Sequence, residues 1–370
     1  MTPWTIPTPD PLAQPGPTWL LWALLLLTFA LHLLAMNLLL GGAIIGALTR
    51  RPEGPDGTHV ALFLGRLRRA LPVVVAATVT FGVAPLLFLQ TLYGRLFFAS
   101  SVAMAWFWLL VIPILILAYY GTYVLSYRGE RLRGGTARAL LAGVALLLLA
   151  ISFIYVNNMS LVLRPDTVRQ LYEQSGAGFQ LNVADPTFVP RWLHFVLSAL
   201  AVAGVGIVAL GLAARRKEPA FGVWAIRRGA NWCAAATALN LIPGFWWLLA
   251  LPRPTLLEFM SHNPVATVVI FLGVTAGLVT MILAVIAARA TEPVKPAVAT
   301  LASLLVTVVC MLVTRDQVRE SALAMADFQP TPWVAPQWGP IVLFVVLLVG
   351  AVGTVAWMVS ALARGRTAQT

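Results

Sequence analysis

The sequence predicts an all-α, polytopic membrane protein with nine transmembrane helices. Three observations carry that prediction. Of the 370 residues, 60% are hydrophobic and only 10% are charged, far from the balance of a soluble globule. The apolar residues gather into runs of about 20 or more, the length that crosses a bilayer core. These runs are rich in Ala, Leu and Gly and show no period-two alternation, which argues against strands.

Taken in order, residues 1–17 form a proline-rich, weakly acidic outer tail with no basic leader, read as an uncleaved lead-in to the first span. The first span covers 18–48 and contains His32 and the pair Gly41-Gly42. Residues 58–69, "THVALFLGRLRR", mix apolar and basic residues as a short interfacial helix does. Spans two, three and four follow at 70–93, 101–126 and 138–157, the fourth ending on Asn157-Asn158. The stretch 158–190 mixes charge with Pro, Asn and Asp and reads as an outer loop. Span five is 191–214, and span six is 223–251 with Asn240 and a Pro243-Gly244 step that predicts a kink. Span seven is 264–289, with Asn263 as N-cap and Pro264 at the first helical position. Span eight is 296–314, a second outer loop covers 315–338, and span nine runs 339–363 before a short tail to residue 370. The spans fall into two four-helix groups, 18–157 and 191–314, with 339–370 as a final span and tail.

Sidedness follows from Lys and Arg. "TRR", "RLRR", "YRGERLRGGTAR", "ARRK", "AIRR", the Arg289/Lys295 turn and "ARGR" lie in one set of connections and hold most of the 25 basic residues. The other set holds Arg95, Arg164, Arg169, Arg191, Arg253, Arg315 and Arg319. The expectation is an outside N-terminus and a cytoplasmic C-terminus, in a prokaryotic-type inner membrane. Trp246, Trp247, Trp333 and Trp338 fit an aromatic belt at the outer face. The net charge of +12 does not mark a nucleic-acid binder, because the basic residues are divided among short loops. The two cysteines are far apart and inside apolar runs, and no CxxCH or CxxC occurs, so the chain attaches no c-type haem itself.

Four histidines remain to be explained. His59 beside Arg66, Arg68 and Arg69 reads as a solvated interfacial residue. His32 lies near mid-span, on a face that continues through Met36, Leu39, Ala43 and Gly46. Either a flat ligand or a close-packed helix on a Gly42/Gly46 seam fits that face. His194 is one turn into span five, and its face continues through Ser198, Ala201 and Val205. An imidazole is costly in hydrocarbon unless something binds it. With Arg191 three residues earlier on the same side, the arrangement suits haem: imidazole to iron, guanidinium to a propionate. His262 sits just before span seven, at a depth like that of His194. The two could hold one haem iron from opposite sides, with Met260 as an alternative sixth ligand. The competing reading of His262 is an exposed loop residue.

Four stretches in this order resemble subunit I of the cytochrome bd quinol oxidase family: "LHLLAMNLLLGG", "FGVAPLLFLQTLYG", "YVNNMSLVLRP" and "PRWLHFVLSALAVAG". The resemblance implies nine spans, haem ligation by His32, and low-spin haem b ligation by His194. The chain also departs from the pattern. The family's carboxylate in the second stretch falls on Gln90. The late-span glutamate ligand has no counterpart in "LLVTVVCMLVTRDQ", the quinol loop shrinks to "LPRPTLLEFM", and His262 lies near where a methionine ligand would be. The leading expectation is a haem-b membrane subunit passing electrons between quinol and a redox partner at the outer face, such as a c-type cytochrome. The alternatives are an oxygen-reducing quinol oxidase subunit and a cofactor-free anchor or transporter.

Overall fold

A computed structural model of the chain describes residues 13–328, 331 and 333–364. Most of the tail expected at 1–17, and the last six residues, lie outside the described residues. The secondary structure is helical, apart from one isolated bridge between Gln14 and Val334. The helices are α1 (Thr18–Leu48), α2 (Pro55–Ala103), α3 (Ala105–Arg128), α4 (Gly134–Val162), α5 (Pro165–Gln174), α6 (Phe188–Ala214), α7 (Pro219–Leu249), α8 (Arg253–Leu257), α9 (Pro264–Arg289), α10 (Val294–Met325) and α11 (Trp338–Arg364). A π-helical turn, Glu258–His262, joins α8 to α9. Nine helices among the described residues are long and apolar enough to cross a membrane. Their order matches the nine expected spans.

Three differences from the expected boundaries have physical causes. The interfacial helix at 58–69 is continuous with span two. At 1.5 Å per residue, the 49 residues of α2 would reach about 74 Å, far more than a bilayer core requires. Phe63 in the leading portion is buried with Ile45, Ala203, Phe221 and Ala225, so that portion packs as part of the bundle. At the other end Tyr93 leaves helical geometry (φ −130°, ψ 25°). The expected kink at Pro243-Gly244 is absent as a break: Pro219–Leu249 is one helix.

The third difference is in α10, which continues eleven residues beyond the expected boundary at 314, through the charged run that reads as loop. The helix tolerates these charges because they find lateral partners. Asp316 accepts a hydrogen bond from Trp22 Nε1 (2.8 Å) and pairs with Arg319. Glu320 accepts one from the Tyr93 hydroxyl (3.0 Å) and lies 3.7 Å from Arg319. The Arg319 guanidinium also sits 4.6 Å above the Tyr93 ring.

Helices α1 to α4 pack on one another, and α6, α7, α9 and α10 form a second set. Contact between α1 and α6 joins the two. The tightest pairing is α6 on α7, and glycine makes it possible. A Cβ on Gly204 would lie 2.7 Å from the Cys233 nitrogen, and one on Gly211 2.7 Å from the Gly222 oxygen. In lipid such backbone proximity supplies the van der Waals contact that hydrophobicity cannot. The Gly42 and Gly46 face of α1 is filled by the Leu67 side chain of α2. Helix α11 lies at the edge against α2, with Phe344 edge-on to Phe88 at 5.0 Å.

One end of the bundle is tied together by polar contacts. Gln14 donates from its backbone nitrogen to the Trp333 oxygen (2.8 Å), and Ala335 donates to the Gln14 oxygen (2.9 Å). The expected outer loop 158–190 contains α5 and is pinned by buried Asn157, whose Oδ1 accepts from the Asn182 nitrogen (2.6 Å). Asn182 Nδ2 in turn donates to Ser160 Oγ (3.0 Å). At this end Trp246, Trp333 and Trp338 are exposed, whereas Trp247 packs into the cluster around buried Phe259.

Candidate functional site

His32 projects from the middle of α1 onto α2. Its Nδ1 is 2.9 Å from the Thr78 carbonyl oxygen. One turn along α2, Gly82 clears the ring: a Cβ there would lie 2.8 Å from both His32 Nδ1 and Cε1. Donation from Nδ1 to a carbonyl fixes the tautomer and the ring orientation. It leaves the Nε2 lone pair directed away from α2. Nε2 has no hydrogen-bond partner among the described residues.

His194 is built alike on a different pair of helices. It projects from α6 onto α7, where a Cβ on Gly244 would lie 3.1 Å from its Nδ1. Asn240, one turn away on α7, donates from Nδ2 to Ser198 Oγ (2.9 Å), one turn beyond His194 on α6. Nδ1 is buried beside the Asn240 backbone and makes no hydrogen bond of good geometry. Sequence reasoning places His194 and Ser198 on one face. It misses Thr78, Gly82 and Gly244, which are recognisable only once their helices are known to face the imidazoles.

Arg191 sits one turn before His194, and its Nη2 is 3.4 Å from Thr187 Oγ1. It lines a cavity of about 30 Å³ with Ser160, Arg164, Asp185 and Thr255, space for water and far too little for a porphyrin. Asp185 is engaged elsewhere: Arg164 lies 3.2 Å away, and Thr187 donates to it from its nitrogen (2.7 Å) and hydroxyl (2.6 Å).

Met260 and His262 lie on the turn that leads into α9. Both are exposed on the Glu258–His262 turn, which packs on α8 and α9. No hydrogen bond, ion pair or ring contact joins either to His194 among the described residues. The chain reaches that position through a strained step, Ser261 at φ 112°, whose nitrogen donates to Thr267 Oγ1 (3.1 Å). Asn263 then caps α9 as its sequence predicts, accepting from Val265 (3.0 Å) and Ala266 (3.2 Å).

His59, expected to be solvated, is half-buried and stacked on Phe221 (6.2 Å) and Trp224 (5.8 Å). Beside it, buried Arg66 pairs with Glu218 and lies 4.1 Å above the Phe221 ring. These contacts make it part of a packed cluster.

No group of three or more His, Cys, Asp or Glu suited to a bare metal ion occurs among the described residues. An iron held here would therefore come within a macrocycle that needs only one or two protein ligands. The residues fit that group. Each imidazole packs on a glycine of the facing helix, leaves Nε2 unbonded among the described residues, and sits in a span where an unligated ring is costly.

No protein-family model matches the sequence, and no curated protein matches it. Among solved structures, a chain of the bd oxidase from Geobacillus thermodenitrificans matches with a TM-score of 0.74 and 13% sequence identity, over 95% of this chain and 99% of that one. At that identity the likeness is one of fold. The protein is a multi-pass membrane protein sharing the helical architecture of that bd oxidase chain.

Proposed function

We propose that this chain is the haem-b-bearing membrane subunit of a quinol-linked oxidoreductase, with His32 and His194 as iron ligands through Nε2. The observation that carries the proposal is the repeated construction: two imidazoles within membrane-length helices, His32 near the middle of α1 and His194 near the start of α6, each laid on a glycine of a neighbouring helix. A bound haem would supply one-electron transfer between ferric and ferrous iron. Thr78 holds the proton of His32 at Nδ1, so Nε2 stays a lone-pair donor. The Ser198–Asn240 bond fixes α6 against α7 on the face that presents His194. Arg191 offers a guanidinium on the same side for a propionate.

Oxygen is the better-supported acceptor. The fold match to a solved bd oxidase extends over nearly all of both chains. With oxygen as the acceptor, the proposal leaves one position on an iron unfilled, which oxygen chemistry needs. Electron delivery to a c-type cytochrome at the outer face is the second reading, and a cofactor-free anchor the third.

The test is a pyridine haemochrome assay on the purified protein, followed by oxygen uptake with added quinol. The account expects b-type haem and quinol-dependent oxygen consumption by the assembled complex. Haem with no oxygen uptake would move the proposal to the second reading. Protein purified from haem-replete cells without b haem would leave only the third.

A further inference from the structure

Helices α7 and α9 meet through small buried residues, with Ala230, Cys233, Ala284 and Ala287 in one core cluster. Beside that seam the two helices part and leave a groove of about 380 Å³, within the size range of ligand sites. Ala234, Ala235 and Ala238 of α7 form one wall, and Met281, Ile282 and Val285 of α9 the other. Every residue lining it is apolar. Ala235, Ala238 and Ile282 are exposed, so the groove opens on the surface that faces lipid.

Below the groove, towards the start of α7 and the end of α9, the surface becomes polar. With about 3.6 residues per turn, Arg227, Asn231, Ala234 and Ala238 share one face of α7, and Arg289, Val285 and Ile282 share one face of α9. Arg227 Nη2 donates to the Ala290 carbonyl oxygen (3.1 Å), which carries its guanidinium across from α7 to the residue following Arg289. Both arginines are exposed, and neither forms an ion pair among the described residues. Asn231 lies one turn further into the span, about 6 Å along α7 from Arg227. Its side chain is exposed and has no hydrogen-bond partner among the described residues. An unpaired amide on the outward face of a membrane helix is costly unless a polar group of its surroundings meets it.

Two cations, then an amide, then an apolar groove follow one another along a single cleft. A phospholipid presents its parts in the same order: phosphate, ester-linked glycerol, acyl chain. An uncharged apolar molecule would fill the groove and leave both guanidiniums without an anion. A small soluble anion would leave the groove unfilled.

We propose that the α7–α9 groove binds an anionic phospholipid, with one acyl chain against Ala234, Ala238 and Ile282, the ester region at Asn231, and the phosphate between Arg227 and Arg289. The lipid joins the start of α7 to the end of α9 across the cleft. Neither His32 nor His194 takes part, so this site is independent of the haem reading.

The experiment is native mass spectrometry of the purified full chain, released from nanodiscs of phosphatidylglycerol and phosphatidylcholine in equal amounts, counting the lipids it keeps. Wild-type protein should keep one phosphatidylglycerol, favoured about tenfold over phosphatidylcholine. Arg227→Gln/Arg289→Gln should abolish that preference. Ala238→Phe fills the groove with both arginines intact and should release the lipid. Arg131→Gln/Arg133→Gln removes two exposed cations from the turn between α3 and α4 and should leave the preference as it is. Should the Arg227→Gln/Arg289→Gln protein fail to fold, wild-type protein offered phosphatidylglycerol against diacylglycerol makes the same comparison, and equal retention of the two would overturn the inference. So would an unchanged preference in Arg227→Gln/Arg289→Gln, full retention in Ala238→Phe, equal loss in Arg131→Gln/Arg133→Gln, or a quinone or second chain kept in place of the lipid.

Discussion

The His32 and His194 neighbourhoods use one plan and finish it differently. Both place an imidazole from one helix on a glycine of the next, at 2.8 Å and 3.1 Å from the position a Cβ would take. At His32 the facing helix also supplies a carbonyl at 2.9 Å, so the ring has a defined tautomer. At His194 the facing helix supplies packing and the neighbouring Ser198–Asn240 bond, but Nδ1 has no acceptor at good geometry. The charge around them differs as well, with Arg315 one ring away from His32 and Arg191 one turn before His194. The difference teaches that orientation of a ligand can be set by a hydrogen bond or by packing, and the two should fail differently when disturbed.

The largest effect is expected from Gly82→Val. Its branched side chain would occupy the place of the His32 ring, at a cost of about 1–3 kcal/mol of overpacking. Absorption spectra of the purified variant should lack the His32-dependent haem component and keep the other.

Gly244→Ala should be milder, because a contact at 3.1 Å yields to a shift of a few tenths of an ångström. A displaced but present His194-dependent band is the expected spectrum. Complete loss of that band would mean the His194 ring is held more rigidly than the His32 ring, reversing the comparison.

Asn240→Leu removes the bond to Ser198 and should lower stability by about 1 kcal/mol, measured as a small fall in Tm. Any spectral change should be confined to the His194 component. The smallest spectral effect belongs to His59→Ala. It loses stacking on Phe221 and Trp224 worth about 0.5–1.5 kcal/mol, and its haem spectrum should match the wild type.

The sequence makes the nine spans legible because each is a long apolar run, and hydrocarbon leaves a helix few alternatives. It is least informative where charges pair sideways. The run after Thr314 looks like loop because hydropathy counts Arg315, Asp316, Arg319 and Glu320 as lost to water. Trp22 and Tyr93, 294 and 227 residues away in sequence, are what keep that turn of α10 inside the bundle. Candidate ligands are legible as rare polar residues in apolar runs, and Asn263-Pro264 as a helix start because its cap is local. The partners are not. Which glycine faces which imidazole depends on how α1 meets α2 and α6 meets α7. The full length of α2 is not legible in the sequence, because its basic leading segment has the composition of a surface helix while Phe63 within it is buried.

The measurement that bears most directly on the account is the reduced-minus-oxidised spectrum of His32→Ala and His194→Ala proteins, scaled to pyridine haemochrome per chain. The account predicts that each substitution removes a different haem component and leaves the other in place. Two variants that both retain the full wild-type haem content and spectrum would contradict it.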